Sequence, residues 1–189
     1  MTNAGQPDAE RLLREAGAML EGHFQLSSGK HSGLYVEKFR LLEHPPQTTA
    51  LCRMIAEWAK ARRPALVAGP TTGGLLVSYE VARHLGLRSI FAEKDEGGGR
   101  SFQRGFTIAP SERVLVVDDV LTTGGSVRDV IDAVRALGGE VVGVATIIDR
   151  SGGKVDFGVP YFACLSLDLP VYAPDACPLC AEGVPLTIT

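Results

Sequence analysis

The chain has 189 residues, 45% hydrophobic and 22% charged, a composition that suits one folded domain with a sizeable core. A formal net charge of -3 provides no global basic field of the kind that holds nucleic acid, so none is expected as a partner. Met1–Arg14 is polar and acidic, without the apolar stretch of a signal peptide, and the longest apolar run, Val141–Ile148, is far too short to span a bilayer; no membrane association is expected, and the expected compartment is the cytoplasm.

In chain order, Asp8–Leu20 reads as a first helix with acidic residues in its opening turn. Phe24–Leu42 mixes aromatic and β-branched residues with turn signals at Ser28-Gly29 and Ser32-Gly33, which predicts short strands. Pro45-Pro46 opens a second helix whose Leu51, Met54, Ile55 and Trp58 share one face, and Pro64 ends it. Strands and helices then alternate. Ala65–Ala68 is a strand, Gly69–Gly74 a turn, Leu75–Leu85 a helix and Arg88–Ala92 a strand. Asp95–Arg104 is a polar, glycine-rich loop, followed by a strand at Arg113–Val117. A helix carrying Val127, Val130, Ile131, Val134 and Leu137 on one stripe stops at Gly138-Gly139, before a strand at Val141–Ile148. Apolar strands alternating with amphipathic helices predict an α/β fold, a mostly parallel sheet flanked by helices. The glycine- and proline-rich stretch past Ser151 reads as a cap. The whole chain, 1–189, is expected to be one domain, with a core over about 46–150 and a small hood built from about 20–45 and 151–189.

The strongest chemical signal is Val114–Ser126. A buried strand delivers the adjacent carboxylates Asp118 and Asp119 to the sheet edge, and Val120, Leu121, Thr122, Thr123, Gly124, Gly125 and Ser126 lead into a helix. The first turn of that helix offers unpaired N–H groups, the glycines let the backbone curl around an anion, and the hydroxyls add donors. Two carboxylates would repel a second phosphate but can accept hydrogen bonds from the vicinal hydroxyls of a sugar. A sugar phosphate satisfies both halves. The segment is neither a Walker loop nor a dinucleotide fingerprint, since it holds no Gly-Lys-Ser/Thr and no Gly-x-Gly-x-x-Gly.

The same segment resembles the signature with which type I phosphoribosyltransferases bind 5-phosphoribosyl 1-diphosphate (PRPP). Gly22–Lys30, Ala92-Glu93-Lys94 and Ile148-Asp149-Arg150 resemble the orotate phosphoribosyltransferases in particular, in a short-loop bacterial branch. The resemblance implies the type I phosphoribosyltransferase fold and transfer of the phosphoribosyl group from PRPP to orotate. It implies that Asp118 and Asp119 hold the ribose hydroxyls and that Thr122–Ser126 cradles the 5-phosphate. Thr72 and Gly73 would bind pyrophosphate through backbone N–H groups, although an ordinary turn would look alike. Lys94 would reach pyrophosphate across the interface of a homodimer with shared sites; its alternative is a solvated strand-end lysine. Thr122, Tyr35 and Arg150 would meet orotate. Arg150 is a planar donor suited to a carboxylate, unless it is a surface arginine paired with Asp149.

By the same resemblance, Mg²⁺ is the expected cofactor, held through PRPP and with no strong direct protein ligand. Catalysis would rest on Asp118 and Asp119 beside a positively charged ribose ring, and on Lys94, Arg100 and Arg104 beside the departing pyrophosphate. Asp95–Arg104 would be a closing lid, or else a plain connector. It lacks the lysines and histidine of longer family loops, Glu93 stands where many members have arginine, and Gly73 where many have lysine. Two competing functions remain: a purine phosphoribosyltransferase of the same fold, and a regulatory protein that senses PRPP. Of the four cysteines, Cys177 and Cys180 have the spacing of half a zinc site. With no second pair nearby, and with His23, His31, His44 and His84 scattered, free thiols in a turn are expected.

Overall fold

The computed structural model describes residues 6–189. Helix α1 (Gln6–Glu15) is shorter than the expected helix. Gly17 takes a left-handed φ of 63°, the Ala18 N–H closes on Leu13 O, and Met19 and Leu20 pass into strand β1 (Met19–Gln25). Strand β2 (His31–Val36) pairs antiparallel with β1, with a register shift between Glu21 and Phe24. A short helix α2 (Lys38–Leu42), whose Phe39 N–H is capped by the Glu37 carboxylate, leads to α3 (Pro45–Lys60). Prolines at the start of α3 leave no intrahelical donor unsatisfied.

The core then follows: β3 (Leu66–Pro70), α4 (Gly73–Leu85), β4 (Arg88–Lys94), β5 (Arg100–Ser101), β6 (Arg113–Leu121), α5 (Gly125–Ala136), β7 (Glu140–Asp149) and β8 (Tyr161–Ser166). The sheet order is β5-β4-β3-β6-β7-β8, all parallel except the edge strand β5. The two-residue side-chain period of β6 explains the layering. Leu115 and Val117 pack with Leu51, Ile55, Val77 and Val81 of α3 and α4, whereas Val114 and Val116 pack with Val127, Val130, Ile131 and Val134 of α5. Truncating any of the larger of these side chains to alanine should cost about 2–5 kcal/mol. Leu137, expected on the α5 stripe, caps the helix and stays exposed.

Strand β8 corrects the reading of the region past Ser151 as cap alone. Tyr161–Ser166 extends the core sheet beside β7, and Phe162 stacks on Trp58 at 5.4 Å. The Asp pair also lies within β6, not after it, because β6 continues to Leu121 alongside β7. Beyond β8, strand β9 (Val171–Tyr172), helix α6 (Pro178–Ala181) and strand β10 (Thr187–Ile188) return to the N-terminal strands. The hood is thus a second sheet in the order β10-β1-β2-β9, drawn from both ends of the described chain. It gathers His23, His31, Cys177 and Cys180 in one place. Among the described residues, no helix is long and apolar enough to cross a membrane.

Candidate active site

In the core sheet the chain moves from β3 outward to β4 on one side, and from β6 outward to β7 and β8 on the other. The carboxyl ends of β3 and β6 therefore diverge at a topological switch point, where open α/β sheets leave a crevice for ligands. The turn after β3 and the Asp118–Ser126 segment meet there. Gly73 and Gly74 allow that meeting. A Cβ at Gly73 would overlap the Asp119 carboxylate, and one at Gly74 would lie 2.8 Å from Asp118 Oδ1.

Asp118 and Asp119 are buried, at 7% and 4% exposure. Asp118 Oδ1 accepts from the Asp119 N–H at 2.8 Å, and Asp119 Oδ1 from the Val120 N–H at 2.6 Å. Burial raises the pKa of Asp118 well above the usual carboxylate range, and the neighbouring Asp119 charge adds to the rise. The countercharge is a residue that sequence reasoning missed: Lys38 Nζ lies 2.9 Å from Asp119 Oδ2. No local pattern marks Lys38, which reads as one charge on a short helix.

Beyond the pair, Thr122 and Thr123 are exposed, and Gly124 caps α5 with a left-handed φ of 82°. Only glycine fits there, since a Cβ would also press on Val155 at 2.9 Å. Asp118, Val120 and the run from Leu121 to Val127 line a depression of about 60 Å³ facing the α5 N-terminus. Backbone donors, hydroxyls and the helix dipole make it an anion seat.

A larger cleft of about 720 Å³ opens beside it, between core and hood. Tyr35, Thr122 and Arg150 line this cleft, as expected, and so do Lys38, Phe39, Ser27, Ser28 and Thr189, which were not singled out from sequence. Arg150 is not a surface arginine paired with Asp149. Asp149 is buried and accepts from the Ser151 N–H at 2.7 Å. Burial lowers the Arg150 pKa, and the guanidinium remains a cation.

The expected loop Asp95–Arg104 is an ordered hairpin. The Asp95 carboxylate accepts from the Gly97 and Gly99 N–H groups, each at 3.0 Å, and β5 pairs Arg100 with Lys94 and Ser101 with Glu93. This register separates its two arginines. Arg100 donates to Thr71 Oγ1 at 3.2 Å and to Ser126 Oγ at 3.4 Å, so it ties the turn after β3 to the depression at the α5 N-terminus. Arg104, expected beside it, is instead held by Glu93 in two hydrogen bonds of 2.8 Å. Thr72 is exposed at the turn, joined to Thr71 by a cis peptide. Lys94 is exposed at the end of β4 and lines neither the depression at the α5 N-terminus nor the cleft.

Residues 40–169 match the phosphoribosyl transferase domain family. The chain is 49% identical over 181 residues to the orotate phosphoribosyltransferase of Carboxydothermus hydrogenoformans, covering 95% of this chain and 94% of that protein. It is 51% identical over 176 residues to that of Thermotoga maritima, covering 93% and 94%. Among solved structures, the orotate phosphoribosyltransferase of Aeropyrum pernix superposes with a TM-score of 0.71 at 30% identity, over 83% of this chain and 92% of that one.

Proposed function

The chain belongs to the phosphoribosyl transferase domain family, and on that premise we propose that it carries the phosphoribosyl group of PRPP to orotate. It is a pentosyltransferase of the orotate branch, giving orotidine 5'-phosphate and pyrophosphate in pyrimidine biosynthesis. One observation carries the assignment of parts: the phosphate seat and the cleft share Val120, Thr122 and Thr123 as a common wall. A ribose seated on the Asp pair would thus have its 5-phosphate on one side and an acidic base on the other.

In this reading Thr122–Ser126 holds the 5-phosphate through N–H groups and hydroxyls, and Asp118 and Asp119 accept the ribose hydroxyls. Arg150 orients orotate by its carboxylate, with Tyr35 and Thr122 beside the ring. The bond from the anomeric carbon to pyrophosphate breaks with its electron pair leaving on the pyrophosphate oxygen. The orotate nitrogen anion attacks the opposite face and forms the new C–N bond. Positive charge builds on the ribose ring as the first bond stretches, and the buried carboxylates stabilise it. Arg100, Thr72 and Gly73 face the leaving pyrophosphate.

Mg²⁺ arriving with PRPP would supply charge neutralisation for the leaving group. The chain fits an ion that arrives with its substrate, because Asp118 Oδ1 and Asp119 Oδ1 already accept backbone N–H groups and Asp119 Oδ2 faces Lys38. The resemblance implies a cytoplasmic homodimer with shared sites, and the exposed Lys94 suits the contact to a second subunit that it implies.

The test is loss of orotate absorbance on addition of PRPP and Mg²⁺, run beside adenine, hypoxanthine and xanthine. Turnover of orotate alone is the expected result. Turnover of a purine in its place would overturn the assignment.

A further inference from the structure

Away from the substrate cleft, His23 of β1, His31 of β2, and Cys177 and Cys180 around α6 each present one donor atom, all within 4.8 Å of one another. His23 Nε2 lies 3.0 Å from His31 Nδ1, 3.5 Å from Cys177 Sγ and 3.7 Å from Cys180 Sγ, and Cys180 Sγ lies 3.3 Å from His31 Nδ1. Around a tetrahedral zinc ion, with bonds of about 2.0–2.3 Å, ligand atoms stand about 3.3–3.8 Å apart. Three of these separations fall in that range, His23–His31 is shorter at 3.0 Å, and all four atoms lie within 4.8 Å, so small shifts would close the cluster on an ion.

Its protonation points the same way. His23 Nδ1 lies 2.8 Å from Val184 O, which can only accept, so Nδ1 carries the proton and Nε2 turns a bare lone pair into the cluster. A carbonyl that fixes the tautomer of an imidazole from behind is the usual support of a metal-ligating histidine. Three groups converge on that single lone pair, which can accept from only one of them. One cation would satisfy all four donors. We propose that His23, His31, Cys177 and Cys180 bind a zinc ion as a closed, four-ligand structural site.

The histidines lack the spacing of a zinc finger because they lie on paired strands, where Gln25 faces His31 and Phe24 faces Ser32. His23, His31 and Cys177 are buried and Cys180 is exposed, so the site lies at the edge of the hood with one ligand open to solvent. The ion would anchor the segment that carries α6, which is only four residues long and cannot hold itself. That segment continues into β10 beside β1 and ends on Thr189 at the wall of the cleft.

The test uses full-length protein purified without a histidine tag, in reducing buffer. Elemental mass spectrometry should find zinc equimolar with the chain. After stripping by chelator, the melting temperature should fall, zinc should restore it, and Co²⁺ should give the visible bands of a tetrahedral thiolate site. Replacing both cysteines with serine should abolish metal and bands. Should that variant fail to fold, the single exchange Cys180→Ser must weaken zinc affinity and alter the cobalt spectrum. A reduced, stripped chain that binds neither metal would overturn the proposal, and so would a Cys177–Cys180 disulfide trapped in freshly isolated protein.

Discussion

Lys38 Nζ sits 2.9 Å from Asp119 Oδ2, so a lysine from the segment after β2 neutralises a carboxylate buried in the core sheet. The contact exists because Gly73 has no side chain: a Cβ there would overlap the Asp119 carboxylate. The cation comes from the first residue of α2.

Lys38 holds the Asp118 pKa down against burial and against the Asp119 charge, which both push it up. In the proposed reading Asp118 accepts ribose hydroxyls as a carboxylate, so kcat/KM for PRPP should rise as pH climbs through its pKa. Removing the lysine lets that pKa move further upward. In Lys38→Met the acidic limb of the pH profile should therefore shift to higher pH. An unmoved limb would show that Lys38 does not govern the pair.

Arg100 and Arg104 should behave differently. Arg100 bridges Thr71 and Ser126, whereas Arg104 is spent on Glu93. Arg100→Ala should lower kcat by about a hundredfold, the scale on which one lost charge-stabilising donor acts. Arg104→Ala should leave steady-state kinetics nearly unchanged. Equal losses in the two variants would return Arg104 to the site.

Arg150 faces the cleft, and among the described residues no carboxylate forms an ion pair with it. Charge-assisted hydrogen bonds contribute about 1.5–3 kcal/mol, so Arg150→Ala should raise KM for orotate roughly tenfold to a hundredfold with less change in KM for PRPP. Arg150→Lys should recover only part of the loss, because an ammonium cannot make the paired contact. Initial rates at varied orotate decide it.

Glu80 provides a measure of acid sensitivity away from the site. Hydrogen bonds from Arg83 at 2.6 and 2.9 Å, and then from Thr49 at 2.6 Å, pull its pKa from 4.5 to about 2. The folded pKa is the lower one, so the stabilisation is complete above pH 4.5 and disappears as pH falls toward about 2. The difference in unfolding free energy between wild type and Glu80→Gln should shrink across that window in urea titrations. A constant difference would remove the carboxylate from the account.

How much of this was legible in the sequence depends on distance along the chain. Asp118 to Ser126 is almost one continuous stretch of the lining of a single depression, so local chemistry was enough to propose it as a binding segment. Arg100 and Arg104 look alike in a glycine-rich stretch; only the pairing of Lys94 with Arg100 separates them. Lys38 reaches Asp119 across 81 positions of chain (119 minus 38), with nothing local to announce it. Strand β8 was hidden by glycines and prolines on both sides, although Tyr161–Ser166 is itself an ordinary apolar strand. His23 and His31 looked scattered because their alignment comes from strand pairing, and their approach to Cys177 and Cys180 from the return of the chain's far end.

In the proposed reading, the wall shared by the phosphate seat and the cleft divides the labour between anchor and selector. The anchor, from Asp118 to Ser126, belongs to the core, whereas Tyr35 and Ser27 belong to the hood and Arg150 follows the end of β7. Recognition of the nucleobase could accordingly be rebuilt by exchanging a few cleft-facing side chains. The machinery that grips the activated sugar would stay untouched.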